Sequence, residues 1–251
     1  MSKTLIIANW KCNPSTAKDA MALAQKIERG ASKRKGVEVA LAPPFIYLSE
    51  IKGVLNKIKL GAQDSFWSDG PYTGEISAGQ LKNLAVEYVI IGHSERRNIL
   101  GETSVMINQK LLSALKHKIK PVLCVGEQER TDGIPEIVGD QIRSALRGVA
   151  ASALENINIA YEPIWAISTT KSSRADTPDS AHQALLYIRK VLTDLYDRPS
   201  AEKVRIIYGG SVNSDNVSSF ISGGLMQGAL VGGASLEPEE FLKIIKNTPS
   251  A

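Results

Sequence analysis

Short apolar runs alternate with longer amphipathic segments along the whole chain. Eight of the short runs span 4–10, 37–43, 59–63, 86–92, 120–126, 157–163, 204–210 and 228–233. They are rich in β-branched or other apolar residues and lack clean polar alternation, the pattern of strands buried on both faces of a parallel sheet. The segments between them carry helical stripes. Ala20, Leu23, Ala24 and Ile27 share one face of a helix that Thr16 can cap and Gly30 would stop. Thr177 followed by Pro178 reads as an N-cap and a first helical residue, and Ala181, Ala184, Leu185, Ile188, Val191 and Leu195 continue as a stripe. Similar stripes cover 105–115, 137–149 and 241–245, whereas 213–223 has fewer apolar positions.

Strand followed by helix, repeated eight times without a linker or a shift in composition, predicts a parallel sheet with right-handed crossovers. Eight such units in 251 residues is the count of a closed (β/α)8 TIM barrel, with residues 1–251 forming one domain. Periodicity alone does not prove closure, so a doubly wound open sheet is the structural alternative.

Composition narrows the function classes. An apolar share of 43% supports a large core and excludes a disordered chain. The excess of 30 Lys and Arg over 26 Asp and Glu is mild, and the basic stretch at 32–36 is a short solvated loop. Nucleic acid is therefore not the expected partner, while a small anionic substrate fits. Cys12 and Cys124 match neither a disulfide framework nor metal-ligand spacing, so we expect a reducing, cytoplasmic setting. No apolar run reaches membrane-spanning length, and the apolar stretch at the start is too short for a signal peptide.

In such a barrel, chemistry belongs to the C-terminal strand ends and the loops beyond them. Lys11 follows an apolar strand directly, where a charge is costly unless it faces a cleft. On its own it reads as a rim lysine, but His93 and Glu162 stand at equivalent strand ends. His93 opens the polar run Ser94-Glu95-Arg96-Arg97. Near a helix N-terminus its cationic form is disfavoured, so it suits a neutral donor to an oxyanion. Glu162 precedes Pro163 and has apolar neighbours Ile164, Trp165 and Ile167, which would give a general base the desolvation it needs when a loop closes over it. A rim carboxylate paired with lysine is the plainer alternative. Together the three residues suit proton abstraction beside a carbonyl. Gly209-Gly210-Ser211 and Gly232-Gly233 leave backbone amides open at the last two strand ends, a recurrent phosphate site of such barrels. The long polar connection from Asp64 to Glu75 carries Phe66, Trp67 and Tyr72, which either a partner subunit or the barrel itself would cover.

Several strings closely resemble the triosephosphate isomerase family. They are Ala8-Asn9-Trp10-Lys11, Tyr72-Thr73-Gly74-Glu75, Ile91-Gly92-His93-Ser94-Glu95-Arg96-Arg97, Tyr161-Glu162-Pro163-Ile164-Trp165-Ala166, Tyr208-Gly209-Gly210-Ser211 and Gly232-Gly233. The resemblance implies interconversion of dihydroxyacetone phosphate and glyceraldehyde 3-phosphate through an enediolate, a step of glycolysis and gluconeogenesis, without metal or organic cofactor. By position it makes Glu162 the proton shuttle, His93 the neutral electrophile, Lys11 the compensating charge and Asn9 a donor to the oxyanion. Glu95 matches a family residue beside the lysine. Ser168, Ser211, Gly232 and Gly233 would meet the phosphate. A homodimer is implied, with Thr73 at the tip of a loop inserted into the other subunit and Cys12 beneath that loop.

One stretch departs from the family. After Trp165 the family usually reads Ala-Ile-Gly-Thr-Gly-Lys and then a short Thr-Ala-Thr-Pro entry to the next helix. This chain has Ala166-Ile167-Ser168-Thr169-Thr170-Lys171, then Ser172-Ser173-Arg174-Ala175-Asp176-Thr177-Pro178. Both lid glycines are absent and about three residues are added. A lid that closes poorly would let the enediolate lose phosphate. An isomerase of a larger sugar phosphate and a barrel that binds without catalysing are the competing functional readings.

Overall fold

The computed structural model describes residues 3–31, 34–129, 133–166 and 176–250. Eight parallel strands follow one another around a closed barrel: β1 (Thr4–Asn9), β2 (Val37–Ala42), β3 (Lys59–Ala62), β4 (Tyr88–Ile91), β5 (Lys120–Val125), β6 (Asn158–Tyr161), β7 (Arg205–Tyr208) and β8 (Gly228–Val231). Closure is made where β1 pairs with β8, from Leu5 opposite Gly228 to Ala8 opposite Val231. An open sheet would leave both of those edges free. The chain is thus a (β/α)8 TIM barrel, as the alternation predicts.

Each strand lies inside its predicted run and stops one or two residues before the run's end. Those trailing residues, among them Trp10, Gln63, Gly92 and Gly126, follow the strands at their C-terminal ends. The lack of polar alternation has a direct cause. Residues such as Leu5, Ile7, Tyr88, Ile90, Val122 and Cys124 fill the lumen. Their alternates, including Ile6, Ala8, Val89, Ile91 and Leu123, pack outward against the helices. Both faces of every strand are therefore dry.

The ten α-helices among the described residues are α1 (Ala17–Ala31), α2 (Leu48–Lys52), α3 (Ala78–Asn83), α4 (Ser94–Ile99), α5 (Ser104–Lys116), α6 (Glu136–Ala145), α7 (Pro178–Leu195), α8 (Arg198–Lys203), α9 (Val217–Ile221) and α10 (Pro238–Asn247). Thr16 Oγ1 accepts the Asp19 N–H at 3.2 Å, and Thr177 Oγ1 accepts the Ser180 N–H at 3.2 Å, so both expected caps are made. Gly30 does not stop α1, which continues through it to Ala31. The glycine serves packing instead: a Cβ there would lie 2.5 Å from Leu242 Cδ2 on α10. The weak stripe at 213–223 yields only α9. No helix among the described residues is long and apolar enough to cross a membrane.

Candidate functional site

The C-terminal mouth of the barrel holds a cavity of about 230 Å³ lined by Asn9, Lys11, His93, Glu162 and the loops after β7 and β8. Nine of the residues singled out from the sequence meet there: Asn9, Lys11, His93, Glu162, Gly209, Gly210, Ser211, Gly232 and Gly233. Glu95 joins them from the rim. Ser168 lies outside the described residues. Cys12 and Thr73 are exposed and do not line the cavity.

Lys11 leaves β1 in the left-handed region, at φ +52°. Two contacts hold it there. Its N–H donates to Asn9 Oδ1 at 3.1 Å, and Gln63 Nε2 donates at 2.8 Å to both Lys11 O and Ala42 O. Gln63 was not legible as a site residue, because one glutamine after a strand carries no pattern of its own. The Lys11 ammonium meets Glu95 Oε1 at 2.7 Å.

His93 caps the N-terminus of α4. Its Nδ1 accepts the Glu95 N–H at 3.2 Å, so the hydrogen-bond network assigns the lone pair to Nδ1 and the proton of a neutral ring to Nε2. Nε2 points at Glu162 Oε1, 3.3 Å away. Arg97 braces the same turn: Nε donates to Gly92 O at 2.7 Å and a terminal nitrogen to Cys124 O at 3.1 Å, joining the ends of β4 and β5. Burial holds this guanidinium below its usual basicity.

Glu162 is buried, only 2% exposed. Oε2 accepts the Ser94 N–H at 3.0 Å, while Oε1 has no hydrogen-bond partner among the described residues. Of the apolar neighbours expected to desolvate it once a loop closes, Ile167 lies outside the described residues. Trp165 donates its indole N–H to Glu127 Oε1 at 2.8 Å, and Tyr161 donates its hydroxyl to the same atom at 2.8 Å. Burial first, and Glu127 beside it, push the Tyr161 phenol far above its ordinary value. Backbone from Gly126 and Gly209 packs against Glu162, beside the His93 ring and the Cys124 thiol.

That changes the meaning of the first glycine pair. A Cβ at Gly209 would lie 2.7 Å from Glu162 Cγ, and one at Gly210 would overlap the Tyr208 hydroxyl. These glycines make room for side chains as much as they expose amides. Gly232 and Gly233 fit the anion reading better. A Cβ at Gly233 would meet nothing within 4 Å, and one at Gly232 would lie 3.9 Å from Lys11 Nζ, so open backbone faces a cation. Ser211 Oγ donates to Ala166 O at 2.7 Å. Substitution of Gly209 by Ala should displace the carboxylate, lowering kcat by about 100-fold for a shift near 1 Å. Steady-state kinetics check this, with circular dichroism to show that the variant folds.

Between α4, α5 and the end of β3 lies an ion cluster that the sequence did not reveal. Lys110 Nζ reaches Asp64 at 2.7 Å and also Glu102, while Arg96 reaches Asp64 at 2.9 Å and Glu102 at 3.4 Å. The cluster locks α4, which His93 caps, to α5 and the end of β3. Phe66 stacks on Trp67 with centroids 3.9 Å apart and tilts against Tyr72 at 4.5 Å, so these aromatics partly cover one another. Among the described residues, no group of three or more His, Cys, Asp or Glu is placed to hold a metal ion.

A family model described as triosephosphate isomerase matches residues 4–248. A triosephosphate isomerase of Caldanaerobacter subterraneus subsp. tengcongensis is 45% identical over 251 residues, covering 98% of this chain and 99% of the relative. The triosephosphate isomerase of Dictyoglomus thermophilum is 43% identical over 253 residues, with 98% and 100% covered. That of Carboxydothermus hydrogenoformans is 43% identical over 254 residues, with 99% and 100% covered.

Proposed function

The chain belongs to the triosephosphate isomerase family and is an isomerase; from that premise we propose how its own residues interconvert dihydroxyacetone phosphate and D-glyceraldehyde 3-phosphate. One observation carries the reading: Glu162 Oε1, without a hydrogen-bond partner among the described residues, lies 3.3 Å from His93 Nε2 in the lining of the cavity. A base and a donor so close can serve a carbon acid and the adjacent carbonyl oxygen together.

In this reading the phosphate rests against the Gly232-Gly233 backbone and Ser211, with Ser168 completing the contact. Glu162 Oε1 removes a proton from the carbon beside the carbonyl and returns it to the neighbouring carbon. His93 donates from Nε2 to whichever oxygen bears the charge of the cis-enediolate. Lys11 and Asn9 stabilise that charge from the opposite side, and Glu95 orients the lysine. No metal or organic cofactor enters these steps. The small cavity favours a triose over a larger sugar phosphate. The whole chain, 1–251, acts as one catalytic domain in the cytoplasm. It works as a homodimer, with Thr73 and Cys12 at the interface. Ile46 and Tyr72, 77% and 43% exposed, lie in the loops after β2 and β3 and would be covered by that contact.

The absence of both lid glycines supports a second part of the proposal, a lid that retains the enediolate poorly. Purified protein should convert either triose phosphate to the other and leave larger sugar phosphates untouched. It should also release more methylglyoxal and free phosphate per turnover than a relative with a glycine lid. Equal side-product yields would overturn the lid reading alone. No triose phosphate conversion by folded protein would overturn the activity.

A further inference from the structure

The backbone on which Glu162 rests is held by a residue outside the cavity. At the end of β5, the Gly126 N–H donates to Gln141 Oε1 at 2.8 Å, and Gln141 Nε2 donates to Gly126 O at 3.1 Å. One side-chain amide of α6 thus takes both polar groups of a single residue and fixes its orientation. Gly126 in turn underlies the base. A Cβ there would overlap the Glu162 carbonyl and lie 3.2 Å from Glu162 Cα, so the two backbones touch at a bare α-carbon.

The neighbours of Gly126 make the support continuous. Val125 O accepts the Glu162 N–H at 2.8 Å, and Glu127 O accepts the Ile164 N–H at 3.0 Å. The Glu127 carboxylate takes Tyr161 and Trp165 as described above. Residues 125–127 therefore form a cradle under 161–165, and Gln141 grips the middle of that cradle. Rotation of the Gly126 peptide would tilt both flanking carbonyls and drive its own atoms into Glu162.

We infer that Gln141 is a positioning residue for the proton shuttle: its amide sets the Gly126 peptide, and that peptide sets the height of Glu162 above the cavity floor. The inference rests on the reading of Glu162 as the base. It concerns kcat and leaves substrate affinity aside, because Ser211, Gly232 and Gly233 are carried by other strands.

Gln141→Leu keeps the bulk and removes both hydrogen bonds. Kinetics per folded site should show kcat lowered about 10- to 100-fold, the scale of a displacement near 1 Å, with KM within about twofold. Inorganic phosphate should bind both proteins equally in calorimetry. A second variant separates positioning from mere folding. In Gln141→Glu, the carboxylic acid form again offers one donor and one acceptor, so kcat relative to the parent should recover as the pH is lowered. A kcat for Gln141→Leu within about twofold of the parent overturns the inference, as does a loss carried wholly by KM or by melting temperature. A parent that fails to isomerise triose phosphates sinks the catalytic reading and this placement with it, which is a different result from an active parent with an indifferent Gln141.

Discussion

Glu162→Gln should lower kcat by about 10³- to 10⁴-fold, near the upper range for loss of a positioned general base. The amide is nearly isosteric, but its two ends are chemically distinct. Ser94 N–H requires an oxygen at the Oε2 position, which turns the amide nitrogen towards His93. Two donors would then face each other in place of the proposed base and donor. KM should change little, because the contacts assigned to the phosphate lie on the loops after β7 and β8. Glu162→Asp gives a milder loss. It keeps the charge and withdraws the carboxylate by about 1 Å, for which about 100-fold is expected. Both variants are measured by steady-state kinetics in both directions, with circular dichroism to show that they fold. If folded Glu162→Gln turns over at the parent rate, the proton shuttle is another residue.

The largest effect on stability should come from Lys110→Met. Lys110 is only 2% exposed and is shared by Asp64 and Glu102. Its loss leaves Arg96 alone with two carboxylates, and breaking a buried pair of this kind costs about 3–5 kcal/mol. For a chain of this size the apparent melting temperature should fall by about 10 °C, compared at one protein concentration. The pH dependence has a definite sign. Burial raises the Asp64 carboxyl above its ordinary value, even though Lys110 and Arg96 act against that rise. A carboxyl raised on folding binds its proton more tightly in the folded state. The stability it contributes is therefore present below its unfolded value and lost as pH rises through its folded value. Removing Lys110 raises the group further, so the defect should be greatest at neutral pH and shrink on mild acidification. Urea titrations of both proteins at the two pH values check this. A defect that stayed constant, or grew on acidification, would show that Asp64 is not the group responsible.

The two effects come from features of very different visibility in the sequence. The strands were legible because burial on both faces leaves an apolar run wherever it occurs. The long helices were legible because α1, α5, α6 and α7 each complete several turns of a stripe. Helices α2, α3, α4 and α8 have five or six residues each, too few for a period to emerge. Gly30 misled for a physical reason. A glycine near the end of a stripe reads equally as a cap or as a point of close approach, and only Leu242, more than two hundred residues later, decides between them. In the site, Lys11, His93 and Glu162 could be read because a titratable side chain at a strand end is itself unusual. Gln63, Gln141 and Lys110 could not. Each is an ordinary polar residue whose significance depends entirely on what tertiary contact brings beside it, and no local pattern announces such a partner.

The left-handed backbone of Lys11 has a consequence for attempts to toughen this protein. A side chain with a Cβ in that region carries strain of about 1–3 kcal/mol, borne here by the grip of Asn9 and Gln63. Glycine or asparagine would sit there more comfortably. A laboratory selection for heat resistance alone would therefore tend to discard this lysine, and survivors would gain endurance while losing the cation at the mouth of the barrel. A selection that also required turnover would keep it. Position 11 marks where hardening this barrel and keeping it useful become opposing goals.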